Sequence, residues 1–141
     1  MTPPHDRSRR KRSPRDRRSL GNEGEERAAR YLARRGYRIV ARNLRSGGVE
    51  VDLVVRRGGI WVFVEVKTRR STRFGRARES LGPRQCARLV RAARTWLAGR
   101  AGPRRRVRFD LVACELHADG SWHVEHWPDA FDAGDVGGPL V

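Results

Sequence analysis

Two acids and a lysine form the set in this sequence best suited to chemistry on a phosphodiester. Asp52 lies in VEVDLVVR (49–56), Glu65-Val66-Lys67 closes IWVFVEVK (60–67), and Glu50 is a third acid nearby. Carboxylates brought together repel unless something positive lies between them. A divalent cation meets that need: Mg²⁺ prefers hard oxygen ligands, keeps several waters, and commonly binds through one or two carboxylates plus a substrate phosphate. Such an ion polarises a phosphodiester and supplies hydroxide for attack. Lys67 could orient the attacking water or offset charge building on the phosphate. Of the 32 basic residues 30 are Arg, and only Lys11 and Lys67 are Lys. In a chain that otherwise writes Arg, Lys67 argues for a compact ammonium that a guanidinium cannot replace.

These residues need a hairpin to bring them together. VEVDLVVR and IWVFVEVK alternate as strands do, and Arg57-Gly58-Gly59 between them is a turn signal. Alternation puts Glu50, Asp52 and Val54 on one face of the first strand, and Val49, Val51, Leu53 and Val55 on the other. In the second strand Trp61, Phe63, Glu65 and Lys67 oppose Ile60, Val62, Val64 and Val66. Placing both valine-rich faces on one side of the sheet fixes the register. A two-residue turn at Gly58-Gly59 then sets Asp52 opposite Glu65 and Glu50 opposite Lys67. The competing reading makes these half-solvated cross-strand pairs at a sheet end. Trp61 and Phe63 weigh against it, because a strand covered on both faces admits charge only at a penalty.

Around the hairpin, Asn22 is a helix cap, with Glu23, Glu25 and Glu26 in the first turn and Ala28, Ala29, Tyr31 and Leu32 behind them. Gly36 ends that helix, Tyr37 to Asn43 is a short strand, and Ser46-Gly47-Gly48 is a turn. A basic loop follows at 69–80, and Pro83 opens a helix running to about Ala98. On it Arg84, Arg88, Arg91 and Arg94 fall on one side, while Cys86, Leu89, Ala93, Trp96 and Leu97 fall on the other. Val107 to Glu115 and Trp122 to Trp127 are further strands. The pattern predicts an α/β domain with a central mixed sheet flanked by helices, spanning 20–130. Residues 1–19 read as a disordered basic tail and 131–141 as a flexible C-terminal tail.

Charge points to the partner. The 141 residues carry a formal +16, and residues 1–20, with eight basic and two acidic side chains, account for only part of it. From Lys67 to Arg108 there are fifteen basic residues and one acid, Glu79. A body this basic suits a polyanion, nucleic acid ahead of an anionic membrane surface, with DNA ahead of RNA. Arg69, Arg70, Arg73, Arg84, Gln85, Arg88 and Arg91 are the candidate backbone contacts, which position a substrate without reading its sequence. Cys86 and Cys114 read as core residues of a reducing compartment. No long apolar run or secretory leader is visible, so the expectation is a cytoplasmic protein without a membrane partner. His123-x-x-His126 lacks further zinc ligands, and Asp110 reads as structural.

Asp52, twelve intervening residues and then Glu65-Val66-Lys67 resembles the PD-(D/E)xK nuclease motif. The context GNEGEERAARYLARRGYRIVARN, VEVDLV, VFVEVKTR, STRFG and RFDLVA closely resembles the YraN family over residues 20 to 115. That bacterial group is regarded as related to Holliday-junction resolvases and other restriction-endonuclease-like proteins. The resemblance implies a restriction-endonuclease-like core and Mg²⁺ or Mn²⁺ held by Asp52 and Glu65, with the Val66 carbonyl as a backbone ligand. It makes Lys67 the catalytic lysine, adds Glu25 from the first helix to the catalytic set, and leaves Glu50 as an accessory acid. Val49 stands where the family usually has Gly, and Gln85 where it tends to have Lys. The implied activity is endonucleolytic hydrolysis of branched or structured DNA, with a homodimer as one arrangement for cutting two strands. A non-catalytic nucleic-acid-binding module on the same fold is the alternative.

Overall fold

The computed structural model describes residues 14–70, 81–98, 100 and 106–132. Its elements are α1 (Pro14–Arg34), β1 (Arg38–Ser46), β2 (Val49–Arg57), β3 (Ile60–Arg70), α2 (Pro83–Ala98), β4 (Arg106–Leu116) and β5 (Trp122–Trp127). The strands form one sheet in the order β1-β2-β3-β4-β5. Only β3 and β4 run parallel, as their connection through α2 requires. The result is the expected restriction-endonuclease-like α/β core with a mixed sheet between helices.

Each helix seals one face. Ala28, Ala29 and Leu32 of α1 pack with Leu53, Val55, Val62, Val64, Val66, Val112 and Cys114. Leu89, Val90, Ala92, Ala93 and Leu97 of α2 pack with Val51, Val54, Trp61, Phe63 and Phe109. Residues 61–64 are therefore buried throughout, on both faces of β3. Among the described residues no helix is long and apolar enough to cross a membrane.

Helix α1 starts at Pro14, well before Asn22, and so takes in residues 14–19 of the stretch expected to be disordered. Proline's fixed φ suits a first helical position, and arginine is a good helix former, so the composition that suggested a solvated tail also tolerates a helix. Residues 1–13 lie outside the described residues. Pairs Glu23–Arg27 (3.1 Å) and Glu26–Arg30 (3.2 Å) brace the exposed side at i,i+4 spacing. The helix closes at Gly36, whose φ of +88° lets the Tyr37 N–H return to the Leu32 carbonyl at 3.1 Å. The first strand is shifted from its expected span, running from Arg38 to Ser46. Residues 69 and 70, expected in a loop, continue β3 because β4 pairs with them, whereas 71–80 lie outside the described residues. Phe131, expected in a flexible tail, stacks on Phe109 with ring centroids 4.9 Å apart.

A polar knot fastens the sheet beneath α1. The fully buried Asp110 carboxylate accepts hydrogen bonds from Arg108 Nε and Nη2 (both 2.8 Å), His126 Nε2 (2.7 Å) and the Asp129 N–H (3.0 Å). Burial pushes its pKa up, but these donors outweigh burial and hold it below the usual carboxylate range. His126 is thus committed to Asp110, and Asp110 is structural as expected. Cys86 and Cys114 are both buried.

Helix α1 comes close to the sheet at Gly24. A Cβ there would stand 2.0 Å from Thr68 Oγ1 and 2.8 Å from Thr68 Cβ. We expect Gly24→Ala to lower stability by about 1–3 kcal/mol in urea unfolding, with Thr68→Gly in the same chain recovering most of the loss. Unchanged stability in the single variant would show that α1 does not seat this closely.

Candidate active site

The hairpin register is as expected where the strands pair: Leu53 faces Val64, Val54 faces Phe63 and Val55 faces Val62. The ladder stops there. Asp52 and Glu65 are not a paired rung, and neither are Glu50 and Lys67, because β2 leaves β3 one residue before the acids. Glu50 instead pairs with Arg45 of β1, and β3 runs on beside β4, Glu65 next to Leu111 and Lys67 next to Ala113. A fork opens between β2 and β3. The Asp52 Oδ2 accepts the Val66 N–H across it at 2.8 Å, so a side chain completes what the lost ladder leaves undone.

The alternation expected along β2 also breaks at Asp52. Val49 and Val51 pack with Val54 on the α2 side, whereas Leu53 and Val55 pack on the α1 side. The same reversal occurs in β1, where Arg42 meets Glu26 of α1 but Ala41 and Leu44 both pack on the α2 side. Arg42 pairs with Leu53 and Leu44 with Val51, leaving Asn43 and Asp52 as the rung between them. Both strands turn over at this one rung. Asn43 has a φ of +47°, a left-handed conformation that asparagine tolerates better than most residues.

The fork gathers most of the residues singled out from the sequence. Lys67 Nζ lies 3.5 Å from Glu65 Oε1, with the two side chains 24% and 19% exposed. Burial, followed by the Asp52 charge, pushes the Glu65 carboxyl up to about 7 against the pull of Lys67 and Arg88. Asp52 is also raised, by burial and then by Glu50, although the Val66 N–H and Lys67 oppose this. Glu25 of α1 is raised by burial and by Asp52, while the Asn43 amide, within hydrogen-bonding reach, draws it down. Glu25 from α1 and Glu65 from β3 thus each feel the charge of Asp52 on β2, although they are far apart in sequence.

On the α2 side a cavity of about 120 Å³ is lined by Val49, Glu50, Glu65, Gln85, Arg88 and Leu89. Gln85 and Arg88 therefore face the acids, while Arg84, Arg91 and Arg94 are exposed along the rest of the helix. Arg69 is half-buried and Arg70 exposed at the far end of β3. Arg73, and Phe74 beside it, lie outside the described residues. On the α1 side a second cavity, about 290 Å³, is lined by Asn22, Glu25, Glu26, Arg42, Asn43 and Leu53. Asn43 had read only as the end of a strand. Its signal was present in the sequence: a residue poorly suited to strands, at home where φ is positive.

The donor set suits a hard cation that keeps much of its water. Asp52 and Glu65 offer hard carboxylate oxygens, with proton affinities raised first by burial and then by a neighbouring acid. Among the described residues, no three His, Cys, Asp or Glu side chains are grouped to cage an ion unaided.

Comparison with known proteins gives a consistent result. Residues 24–114 match the model of the uncharacterised protein family UPF0102. A UPF0102 protein of Anaeromyxobacter dehalogenans is 48% identical over 116 residues, covering 82% of this chain and 86% of its own. One from Nitratidesulfovibrio vulgaris is 44% identical with the same coverage. A third, from Frankia alni, is 46% identical over 80% of this chain and 94% of its own.

The raised Glu65 pKa has a measurable consequence. Folded, Glu65 keeps its proton to about pH 7; its ordinary value is 4.5. The folded state then binds more protons than the unfolded state within that window, so stability falls as pH rises through it. Urea unfolding of the metal-free protein between pH 4.5 and 8 should show this decline, and Glu65→Gln should flatten it. An equal slope in the variant would remove Glu65 as its source.

Proposed function

The chain belongs to the uncharacterised protein family UPF0102, the YraN family, and we propose that it is a metal-dependent endonuclease acting on structured DNA at the fork between β2 and β3. One observation carries this reading. Asp52, Glu65 and Lys67 meet, half-buried, where the strands part, with Arg88 of a basic helix facing Glu65. A solvated ion-pair cluster would not require carboxylates held together against their own repulsion.

In this proposal Asp52 and Glu65 hold Mg²⁺ or Mn²⁺ with the Val66 carbonyl, and Glu25 completes the acidic set. When bound, the ion supplies a water of lowered pKa and a Lewis acid at the phosphate. The remaining work falls to the chain itself. The Val66 N–H holds the Asp52 carboxylate at the fork. Lys67, beside Glu65, holds the attacking water in line and offsets charge on the pentavalent phosphate. Arg88 and Gln85 grip the phosphate from the α2 side, and Glu50 is an accessory acid on the cavity wall. Arg84 and Arg91, with Arg69 and Arg70 at the end of β3 and Arg73 from the sequence that follows, carry the flanking backbone. Contacts of this kind position a nucleic acid by its backbone charge and leave its sequence unread. Cytoplasmic location and a dimer for double-strand cleavage belong to the same proposal.

The test is a panel of linear, flapped and branched DNAs and RNAs with Mg²⁺ or Mn²⁺. Cleavage is expected on at least one structured DNA. Asp52→Ala and Lys67→Ala should each lower it by about 100-fold or more while DNA binding persists. Salt-sensitive binding without cleavage of any substrate, unchanged in Lys67→Ala, would instead favour a non-catalytic module. In the binding assay, Arg84→Ala and Arg88→Ala should each reduce the slope of log affinity against log salt by about one.

A further inference from the structure

Two described residues other than glycine have positive φ: Asp129, in the turn after β5, and Asn43, in the middle of β1. A turn accounts for the first. The second interrupts a strand whose pairing resumes on both sides of it, Arg42 with Leu53 and Leu44 with Val51. The skipped partner is Asp52, the residue that bridges the fork. Conformations of this kind persist where the surrounding structure over-determines them, and they cluster at functional sites.

We infer that Asn43 is a positioning residue: its left-handed backbone turns the β1–β2 ribbon over at Asp52, and its amide holds the Glu25 carboxylate beside that aspartate. The inference rests on the fork being the metal and substrate centre. Asn43 and Glu25 line the same cavity, and Leu53, the neighbour of Asp52, lines it with them. An amide N–H is a suitable donor here, because it orients a carboxylate without neutralising it as a cation would. Arg42, which lines the same cavity, is engaged by Glu26 and leaves Glu25 to the amide. The two functions of Asn43 are separable, since glycine adopts positive φ without steric penalty yet has no amide to offer.

The experiment titrates Mn²⁺ alone into wild type, Asn43→Gly, Glu25→Gln and the double variant by calorimetry, with thermal unfolding in parallel. Asn43→Gly should melt within a few degrees of wild type but bind Mn²⁺ about tenfold more weakly, as loss of a supporting hydrogen bond to a metal site does. The double variant should bind no more weakly than Glu25→Gln, because the amide acts through that carboxylate. Asn43→Ala, which lacks both the amide and the tolerance of positive φ, should lose melting temperature as well. Wild-type affinity in Asn43→Gly, or losses that multiply in the double variant, would overturn the inference while leaving the nuclease reading intact. Absence of Mn²⁺ binding by wild type would remove the metal centre itself, and the inference with it.

Discussion

Where β2 separates from β3, the ladder loses its next rung and an N–H in a nearly dry location needs an acceptor. The Asp52 carboxylate supplies it, reaching Val66 at 2.8 Å. Much of the architecture follows from that contact. A carboxylate spanning the gap can hold an edge together while keeping its other oxygen for something else, whereas a backbone carbonyl would simply have continued the sheet. The fork is also what exposes Glu65 and Lys67, since β3 beyond Val64 has β4 on one side and no β2 on the other.

Such an arrangement concentrates negative charge in a partly desolvated space, and the surrounding elements temper it without cancelling it. Lys67 and Arg88 pull the Glu65 carboxyl down, yet burial and Asp52 prevail. Full compensation would make the cluster a self-contained ion-pair network, stable and inert. Incomplete compensation leaves a site with unmet demand for positive charge. Helix α2 supports this in two ways: its apolar side closes the core against Phe63 and Phe109, and Gln85 and Arg88 project to the acids. The Ser46 hydroxyl donates to the Ala92 carbonyl at 2.9 Å, tying the β1–β2 turn to the same helix.

What could be read from the chain divides along physical lines. Local pattern was sufficient for α2, since Pro83 and the basic and apolar stripes mark its span, and for β5. The Gly58-Gly59 turn and the valine rows gave the correct register of the paired rungs. The reversal at Asn43 and Asp52 was illegible, because strict alternation assumes a ribbon that never turns over, and Val49 and Val51 satisfy the pattern on either face. The early start of α1 was hidden by a composition shared by solvated tails and exposed helices. Extension of β3 to Arg70 depended on pairing with a strand more than forty residues away. Asp52, Glu65 and Lys67 were legible because acids and a lone lysine beside buried strands have few reasons to be there. Asn43 was not, because its meaning lies in a backbone angle.

The parallel pairing of β3 with β4 has a consequence in time. The β2–β3 hairpin closes locally, as such hairpins do within microseconds. The segment carrying Glu65 and Lys67 lies past the last β2 rung, and its only described strand partner spans residues 111 to 116. During synthesis those side chains therefore lack their flanking strand until β4 has emerged, with only Asp52 and α1 to hold the segment. A nascent chain would hold three of the five strands without the α2 wall or the β4 edge, so the fork is enclosed only when the domain is nearly complete.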